Sequence, residues 1–506
     1  MKPDFLQVLK ICISILIIFI LETPVSADEN EVNVSQDNPI EDQSLTKTEK
    51  IILMLKGEVP IQHPSEKESS IQENILQVPM TLDQLTHLAL KQNPGLQAVR
   101  MEKDISDQTI LASRGEKFGR INFDVTDFTH GHNNLPLLAK SVAIDQIKTN
   151  QSGVRDFNNN IFSFGGTVTL PIYTGGRITN QIKLAKLGKE LANSRVLQTK
   201  DELIFNVTSV YYNILKYQDF IQAAKQSVKQ LSESKRVVLQ RFKEGKVAKI
   251  DTLKINTRLA EVEQLLIEFL NAQEVLYGLL GVLLGEEAGI SKRTISGNLE
   301  MSSEELKKNY SLIQKSSFSN VQKLAIKSRP ELQAIRKELE IQEKRIRIRF
   351  AEHLPSINLK GQLQGVQGDN SSLFAQQFAG IFMSVPLFSG GSIEAKVQRE
   401  RVRYSKLYRE FAQLKLSVIQ EVHAAHLNTR EAIERIMSAQ AAVDEANEVL
   451  RIEALKVREG KSIIENLLDA QTAQLRSEQN FSAAVADYQI QLMALKKAIG
   501  TIEVEG

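Results

Sequence analysis

The sequence predicts a mainly helical fold with a small β part, in which long antiparallel coiled-coil helices occur twice in tandem. Three observations predict this class: the positions of proline, a coiled-coil spacing of apolar residues, and motifs that occur in both halves of the chain. All 12 prolines fall at or before Pro386, and none lies between Pro171 and Pro330. Residues 172–329 and 387–506 can therefore run as uninterrupted helix, because proline breaks helix interiors.

The first of these windows carries a sustained heptad pattern. Nine apolar residues are separated alternately by four and three positions: Leu203, Val207, Val210, Ile214, Tyr217, Ile221, Ala224, Val228 and Leu231. The pattern resumes after Gly245 with Ile255 and Leu259, so Gly245 marks a turn between an outgoing and a returning helix. An outgoing helix over 177–244 would measure on the order of 100 Å.

The two halves of the chain align as repeats. Glu244-Gly245-Lys246 returns 215 residues later as Glu459-Gly460-Lys461, and Asn93-Pro94 is answered 236 residues later by Arg329-Pro330. We therefore predict a first repeat over 81–285, a linker or equatorial region over 286–320 and a second repeat over 321–506. The predicted helical hairpins cover 177–285 and 392–500, with their tips at Gly245 and Gly460.

Each repeat also contains a strand-to-helix turn preceded by alternating apolar and polar residues. The turn motif supplies the candidate residues Pro171, Tyr173, Gly175 and Gly176 in the first repeat and Pro386, Phe388, Gly390 and Gly391 in the second. Alternation with period two is typical of strands that have one apolar face. The predicted strands are 117–128 and 160–172 in the first repeat, and 356–366 and 376–388 in the second.

Four strands cannot close a membrane barrel, for which eight are about the minimum. If the apolar faces meet lipid, several copies must pool their strands, and three copies would supply twelve. The alternative is a small soluble sandwich that caps a coiled-coil scaffold without a pore.

The N-terminus predicts export from the cytoplasm. Residues 1–27 combine basic residues, a short apolar run and small residues before a cleavage position, which is typical of a signal peptide. The only cysteine, Cys12, lies within it. Residues 28–80 hold eleven acidic and four basic side chains, which predicts a mostly irregular segment. The formal net charge of +2 gives no reason to expect nucleic acid as a partner.

The doubled motifs resemble those of the TolC-type outer-membrane efflux duct family. The resemblance covers about 81–500 and implies a homotrimer with a twelve-stranded barrel in the outer-membrane lipid and a helical tunnel in the periplasm. It further implies a passive exit duct for efflux or type I secretion in a Gram-negative-type cell. The implied partners are a periplasmic adaptor (membrane fusion) protein and an inner-membrane pump or ABC exporter, whose identity sets the substrate.

The same resemblance implies two functional regions at the hairpin tips. Adaptor docking is expected at Gly245, Lys246, Val247, Ala248, Gly460, Lys461 and Ser462. A periplasmic gate is expected at Asp251 and Asp469. Asn466 stands where a second acid is common, and Val457 and Ser462 replace the polar residues that often link the closed state. Alternatively, Asp251 and Asp469 are solvated residues near helix starts, where a carboxylate meets the helix dipole favourably.

No motif in the sequence indicates an enzyme or a cofactor site. His130 and His132 in the first hairpin loop, and His423 and His426 at i,i+3 on the second long helix, are the candidate metal ligands. Solvated or helix-surface histidines are the favoured interpretation of both pairs, so we expect no metal.

Overall fold

The computed structural model describes residues 79–129, 160–286, 294–299, 311, 318–368 and 373–502. These residues belong to one compact unit, 72–506. The predicted signal 1–27, nearly all of the acidic segment 28–80, most of the predicted linker 286–320 and the pair His130 and His132 lie outside the described residues.

The first repeat begins with two short helices and continues into a β-hairpin and a long helical hairpin. Its elements are α1 (Leu82–Gln92), α2 (Pro94–Gly115), β1 (Arg120–Thr129), β2 (Asn160–Thr174), α3 (Arg177–Lys243) and α4 (Lys249–Leu284). Thr81 starts α1 with a reciprocal capping box to Gln84, and the Asn93 side chain caps α2 by accepting from Leu96 N at 2.9 Å.

The second repeat has the same order of elements. It comprises α5 (Phe318–Ser328), α6 (Pro330–Phe350), β3 (Ser356–Gly368), β4 (Phe374–Ser384), α7 (Ser392–Arg458) and α8 (Ile464–Ile499). The long helices α3 and α7 each contain 67 residues, and the returning helices α4 and α8 each contain 36. The predicted mainly helical class with a small β part is confirmed.

The four strands form one antiparallel sheet in the order β1-β2-β3-β4. The central pairing joins the two repeats, because Leu170 of β2 lies opposite Leu359 of β3. Leu359 lies in turn opposite Ile381 of β4. Directly opposed residues share a face, so the apolar positions of both repeats form a single surface.

The strand ends differ from the predicted ones at two places. The predicted strand 117–128 occupies 120–129, because Glu116–Phe118 forms a 3-10 turn and Gly119 adopts φ 77° before the strand begins. The predicted strand 376–388 occupies 374–384, so Pro386 and Phe388 lie beyond it. Proline has no N–H for ladder pairing, which accounts for the early end.

The helices pack along the predicted heptad. Seven of its nine positions in α3 are buried, and Tyr217 and Val228 are half-buried. One apolar cluster unites α1, α3, α4, α7 and α8 around Ile214, Ile433 and Tyr488. A second cluster at the tips joins both hairpins around Leu231, Ile255 and Leu468. The two hairpins of one chain therefore share their core over much of their length.

Candidate functional site

The sheet exposes a continuous apolar face. Its side chains are between 40% and 70% exposed: Ile121, Phe123, Val125, Val168, Leu359, Leu363, Ile381 and Met383. The opposite face carries Asn122, Thr167 and Gln362, which the strand register places in one row. An exposed apolar surface of this extent is typical of a site that meets lipid or another chain.

The two strand-to-helix turns have the same backbone but different surroundings. Gly175 and Gly390 have φ 62° and 58°, and each is followed by another left-handed glycine, Gly176 or Gly391. Gly175 approaches the second repeat so closely that an added Cβ would lie 2.8 Å from the Leu354 Cβ. At the same position of Gly390, no described residue comes within 4 Å.

The aromatic residues of these turns differ in the same way. Tyr173 belongs to β2, lies opposite Ile357 after a β-bulge that begins at Pro171, and is 43% exposed. Phe388 follows β4 and is 90% exposed. The first turn is therefore packed within the chain, whereas the second presents a bare surface.

Both hairpin tips are glycine turns that close the preceding helix. Gly245 has φ 73°, and the next residue, Lys246, donates its N–H to Arg241 O at 2.9 Å. Gly460 has φ 77°, and Lys461 donates to Lys456 O at 2.8 Å. Glycine suits both positions because other residues are strained at positive φ. The Lys246 and Lys461 side chains pair with the glutamates before the glycines, Glu244 and Glu459, at 2.8 and 2.7 Å.

A groove of about 540 Å³ separates the two tips of one chain. It brings together five of the predicted docking residues: Lys246, Val247, Ala248, Gly460 and Ser462. Val237, Val238, Ile464 and Leu467 supply apolar lining. The predicted docking residues of the two repeats therefore line a common surface.

One side chain crosses this groove and ties the hairpins together. The Arg241 guanidinium, on α3, donates to Val457 O at 3.0 Å and to Arg458 O at 3.2 Å, both at the end of α7. Carbonyls in the last turn of a helix lack intrahelical donors, so a cation there is favourable. Val457 itself is buried, 8% exposed, in the apolar cluster at the tips.

The predicted gate residue Asp251 caps a helix. Its carboxylate accepts the Ala248 N–H at 3.1 Å at the start of α4, and the Asp251 N–H donates to Ala248 O. This geometry agrees with the alternative interpretation of a carboxylate at a helix N-terminus. It leaves one carboxylate oxygen for other contacts.

The second predicted gate residue, Asp469, lies in a mixed-charge groove beside α4. Lys254 Nζ donates to Glu465 Oε2 at 2.5 Å, and this hydrogen bond raises the pKa of Lys254, with smaller contributions from Asp251 and Asp469. The groove also contains Arg258 and Glu261. Lys254 thus brings the two predicted gate acids into one electrostatic group and offsets part of their charge.

The second tip is closed by a different set of polar residues. Ser462 Oγ donates to Glu453 Oε2 at 2.7 Å and accepts from Asn466 Nδ2 at 3.1 Å. The Lys456 ammonium also pairs with Glu453, and these hydrogen bonds lower the pKa of the glutamate. Ser462 and Asn466, the departures from the family pattern, therefore form a link between α7 and α8.

Sequence reasoning missed Arg241 and Lys254. A signal for Lys254 was present: it lies nine residues after Gly245, the same position that Asp469 has after Gly460. Arg241 has no such signal, because it occupies the place of Lys456, whose side chain contacts its own helix.

Two further features of the described residues bear on function. No group of three or more histidines, cysteines or acids in the described ranges is placed to hold a metal ion. His423 packs edge-on against Phe318, and burial lowers the pKa of His426. Helix α4 is long and apolar enough to cross a bilayer by length and composition, although little of that stretch is buried.

The comparisons with known proteins agree with this geometry. The family model described as "Outer membrane efflux protein" matches residues 85–285 and 321–501. The outer membrane protein TolC of Vibrio cholerae is 23% identical over 438 residues, which is 83% of this chain and 91% of that protein. The alkaline protease secretion protein AprF of Pseudomonas aeruginosa is 22% identical over 302 residues, 59% of this chain and 61% of that protein.

Solved structures share the fold. The Campylobacter jejuni CmeC outer membrane channel gives a TM-score of 0.69 at 16% identity, over 94% of this chain and 95% of that one. The open state of the Neisseria gonorrhoeae MtrE outer membrane channel gives 0.65 at 17% identity, over 83% and 88%. The family model spans most of the chain and reproduces its two repeats. The chain therefore belongs to the outer membrane efflux protein family, and its predicted outer-membrane location and exit-duct function are confirmed.

Proposed function

We propose that three copies of the chain form one passive duct, with a twelve-stranded barrel in the outer membrane and a helical tunnel below it. The observation that supports this most is the four-stranded sheet with an exposed apolar face. Within the described strands, β1 and β4 each have one edge without a partner. An unpaired edge in lipid leaves backbone groups without hydrogen bonds, so closure by neighbouring copies is favoured.

The helices support the same assembly. In the first repeat, α3 packs against α2 of its own repeat and α6 of the other. Its counterpart α7 packs against α6, and within the described residues it has no comparable contact with α2. Helix α4 meanwhile exposes an apolar row that includes Ile267, Val275 and Val282. In a ring of copies, α2 and α4 of one chain would cover α7 of the next.

The repeat also predicts how strands of neighbouring copies pair. Leu170 lies opposite Leu359 within the chain. The residues that correspond to them, offset by 215 and 236, are Val385 and Phe123. Antiparallel pairing then places Met383 opposite Val125 of the next copy, both on the apolar face.

Cysteine crosslinking tests the barrel directly. We expect Met383→Cys with Val125→Cys to form a covalent trimer on oxidation in outer membranes, because Cβ atoms of opposed residues lie within about 5.5 Å. The only native cysteine, Cys12, is removed or lies in the predicted signal. The control pairs Met383→Cys with Asn122→Cys, whose side chain lies on the other face. Monomers from both pairs, or crosslinking by the control pair alone, would contradict the assembly.

We further propose that the groove between the tips docks a periplasmic adaptor, which connects the duct to an inner-membrane pump or ABC exporter. Support comes from its apolar lining, its exposure and the convergence of both tip turns upon it. In this assembly the pump supplies the work, and the duct needs no catalytic residue of its own.

Substitution of Gly460 separates docking from folding. Gly460→Asn should preserve export because asparagine tolerates positive φ, whereas Gly460→Arg should abolish export while trimers remain in the membrane. No described residue lies within 4 Å of the Gly460 Cβ position, so both side chains fit within this part of the chain. Equal export by the two variants would exclude docking at this turn.

A further inference from the structure

The polar face of the sheet is not uniformly polar. On β4 it carries Phe378 and Phe382, whose rings lie 5.9 Å apart at 67° and are 48% and 43% exposed. Gly380 separates them, so no side chain intervenes. The neighbouring strand places Lys360 opposite Gly380, with Nζ 5.4 Å from the Phe382 ring centroid. These side chains form an aromatic surface with a cation at its edge, which we call the Lys360 platform.

A second cation occupies the same row of the sheet. Arg120 lies opposite Thr169, and Thr169 lies opposite Lys360. The acid on this face within the described strands, Asp124, is four residues farther along β1, or about 13 Å. That distance exceeds the Debye length at physiological salt, so Asp124 screens the two cations little. The described charges of the sheet therefore leave an excess of positive charge near the strand ends at Arg120 and Ser384.

We propose that this surface is a binding site for amphipathic organic anions inside the channel, with Arg120 and Lys360 attracting the anionic group and Phe378 and Phe382 contacting the apolar body. The site rests on the proposed barrel, since the exposed apolar face must turn to lipid for the polar face to line the interior. Three copies would then surround the path with six cations and six aromatic rings. Rings of like charge in a pore attract counter-ions, and aromatic faces bind flat apolar groups.

The site has the opposite sign preference to the predicted gate. Asp251 and Asp469 lie at the hairpin tips, at the other end of α3 and α7 from the sheet. An anionic substrate favoured by the barrel would thus be disfavoured at an acidic entrance. The Lys254–Glu465 pair reduces that conflict by offsetting charge at the tips.

Channel block in planar bilayers tests the site. The probe is 2-naphthalenesulfonate, added on the side of the barrel loops so that it need not pass the tips, and methanesulfonate is the probe without a ring. We expect naphthalenesulfonate to block the parent channel and methanesulfonate to leave the current nearly unchanged. Lys360→Gln should raise the half-blocking concentration about fivefold, the equivalent of about 1 kcal/mol for an exposed charge contact.

Replacing both rings should have a separate effect. Phe378→Leu with Phe382→Leu keeps apolar volume but removes the aromatic faces, and should weaken block by roughly threefold or more. Gln376→Ala, on the same face of β4 but away from the platform, is the matched control and should block like the parent. Parent channels that respond equally to both probes, or variants that block like the parent, would overturn this site and leave the barrel intact. A parent that forms no channel would overturn the barrel and the site together.

Discussion

The two helical hairpins have equal lengths and the same glycine turns, yet different polar side chains hold them in place. At the start of the first repeat, Asn93 caps α2 and donates to Leu283 O at 2.9 Å. Its counterpart Arg329 is buried and forms ion pairs with Glu331 and Glu421. At the tips, Asp251 caps α4, whereas Ser462 and Glu453 link α7 to α8. The backbone repeat thus depends on glycine and apolar spacing, and the polar contacts of each copy have diverged.

The largest difference between the repeats is expected at Arg329. Its guanidinium is 4% exposed, so Arg329→Ala leaves Glu331 and Glu421 without their buried partner. We expect a loss of about 3 kcal/mol in the free energy of unfolding, against about 1 kcal/mol for Asn93→Ala, which removes a neutral cap. Urea midpoints followed by circular dichroism of the trimer measure both.

A second variant separates charge from packing. Adding Glu421→Gln to Arg329→Ala removes one unpaired carboxylate and should recover part of the lost stability. No recovery would indicate that Arg329 stabilises the protein through packing instead of through its ion pairs.

The next effect concerns the tips. Arg241→Ala removes both hydrogen bonds from the first hairpin to the end of α7, so the hairpins should separate more readily. A loss of about 1.4 kcal/mol would shift the balance between closed and open tips about tenfold. Lys456→Ala, at the corresponding place in the second repeat, removes a pair within one helix and should change little. Single-channel recording of open probability distinguishes them, and equal effects would mean that Arg241 does not tie the hairpins.

Charge at the predicted gate gives a smaller effect with two signs. Asp251→Asn with Asp469→Asn should lower cation preference, whereas Lys254→Gln should raise it, because Lys254 occupies the place of Asp469 in the repeat. Exposed charges contribute at most about 1 kcal/mol, so changes in permeability ratio should stay within about fivefold. Reversal potentials in a salt gradient measure the ratio. Shifts in the same direction for both variants would remove these residues from the gate.

The repeats, the helix class and the alternating strands were predictable because they rest on periodic apolar residues and on proline and glycine. Gly245 and Gly460 announce the tips in the sequence, and Ile121 and Leu359 announce their faces. Contacts between distant polar residues were not predictable. Arg241 reaches carbonyls of Val457 and Arg458 more than 200 positions away, and no local pattern encodes a backbone acceptor. The Lys360 platform likewise depends on strand register, which pairs Lys360 with a glycine between two phenylalanines.

The smallest expected effect is a pH dependence confined to the first repeat. Asp201 lies in α3, and its counterpart in the second repeat is the exposed Leu416. Burial, with the nearby Glu331 charge, raises the pKa of Asp201 to about 6, against the opposing influence of Lys200, Lys497 and Arg329. The folded protein therefore binds this proton more tightly than the unfolded chain does. Stability from this group is fully present below the unfolded pKa of 3.8 and is lost as pH rises through about 6.

Asp201→Asn removes that loss. We expect the variant to be more stable than the parent at pH 7.5 by about 1 kcal/mol, a value reduced from the full pKa shift because the carboxyl is partly solvated. At pH 4 the two proteins should differ little, because Asp201 is then largely protonated in the folded parent. Urea midpoints at both pH values provide the measurement, and Leu416→Asn is the control without a titrating group. A stability difference between Asp201→Asn and parent that stays constant from pH 4 to pH 7.5 would show that burial of the charge is not what this residue contributes, since only an ionising group can make the difference grow with pH.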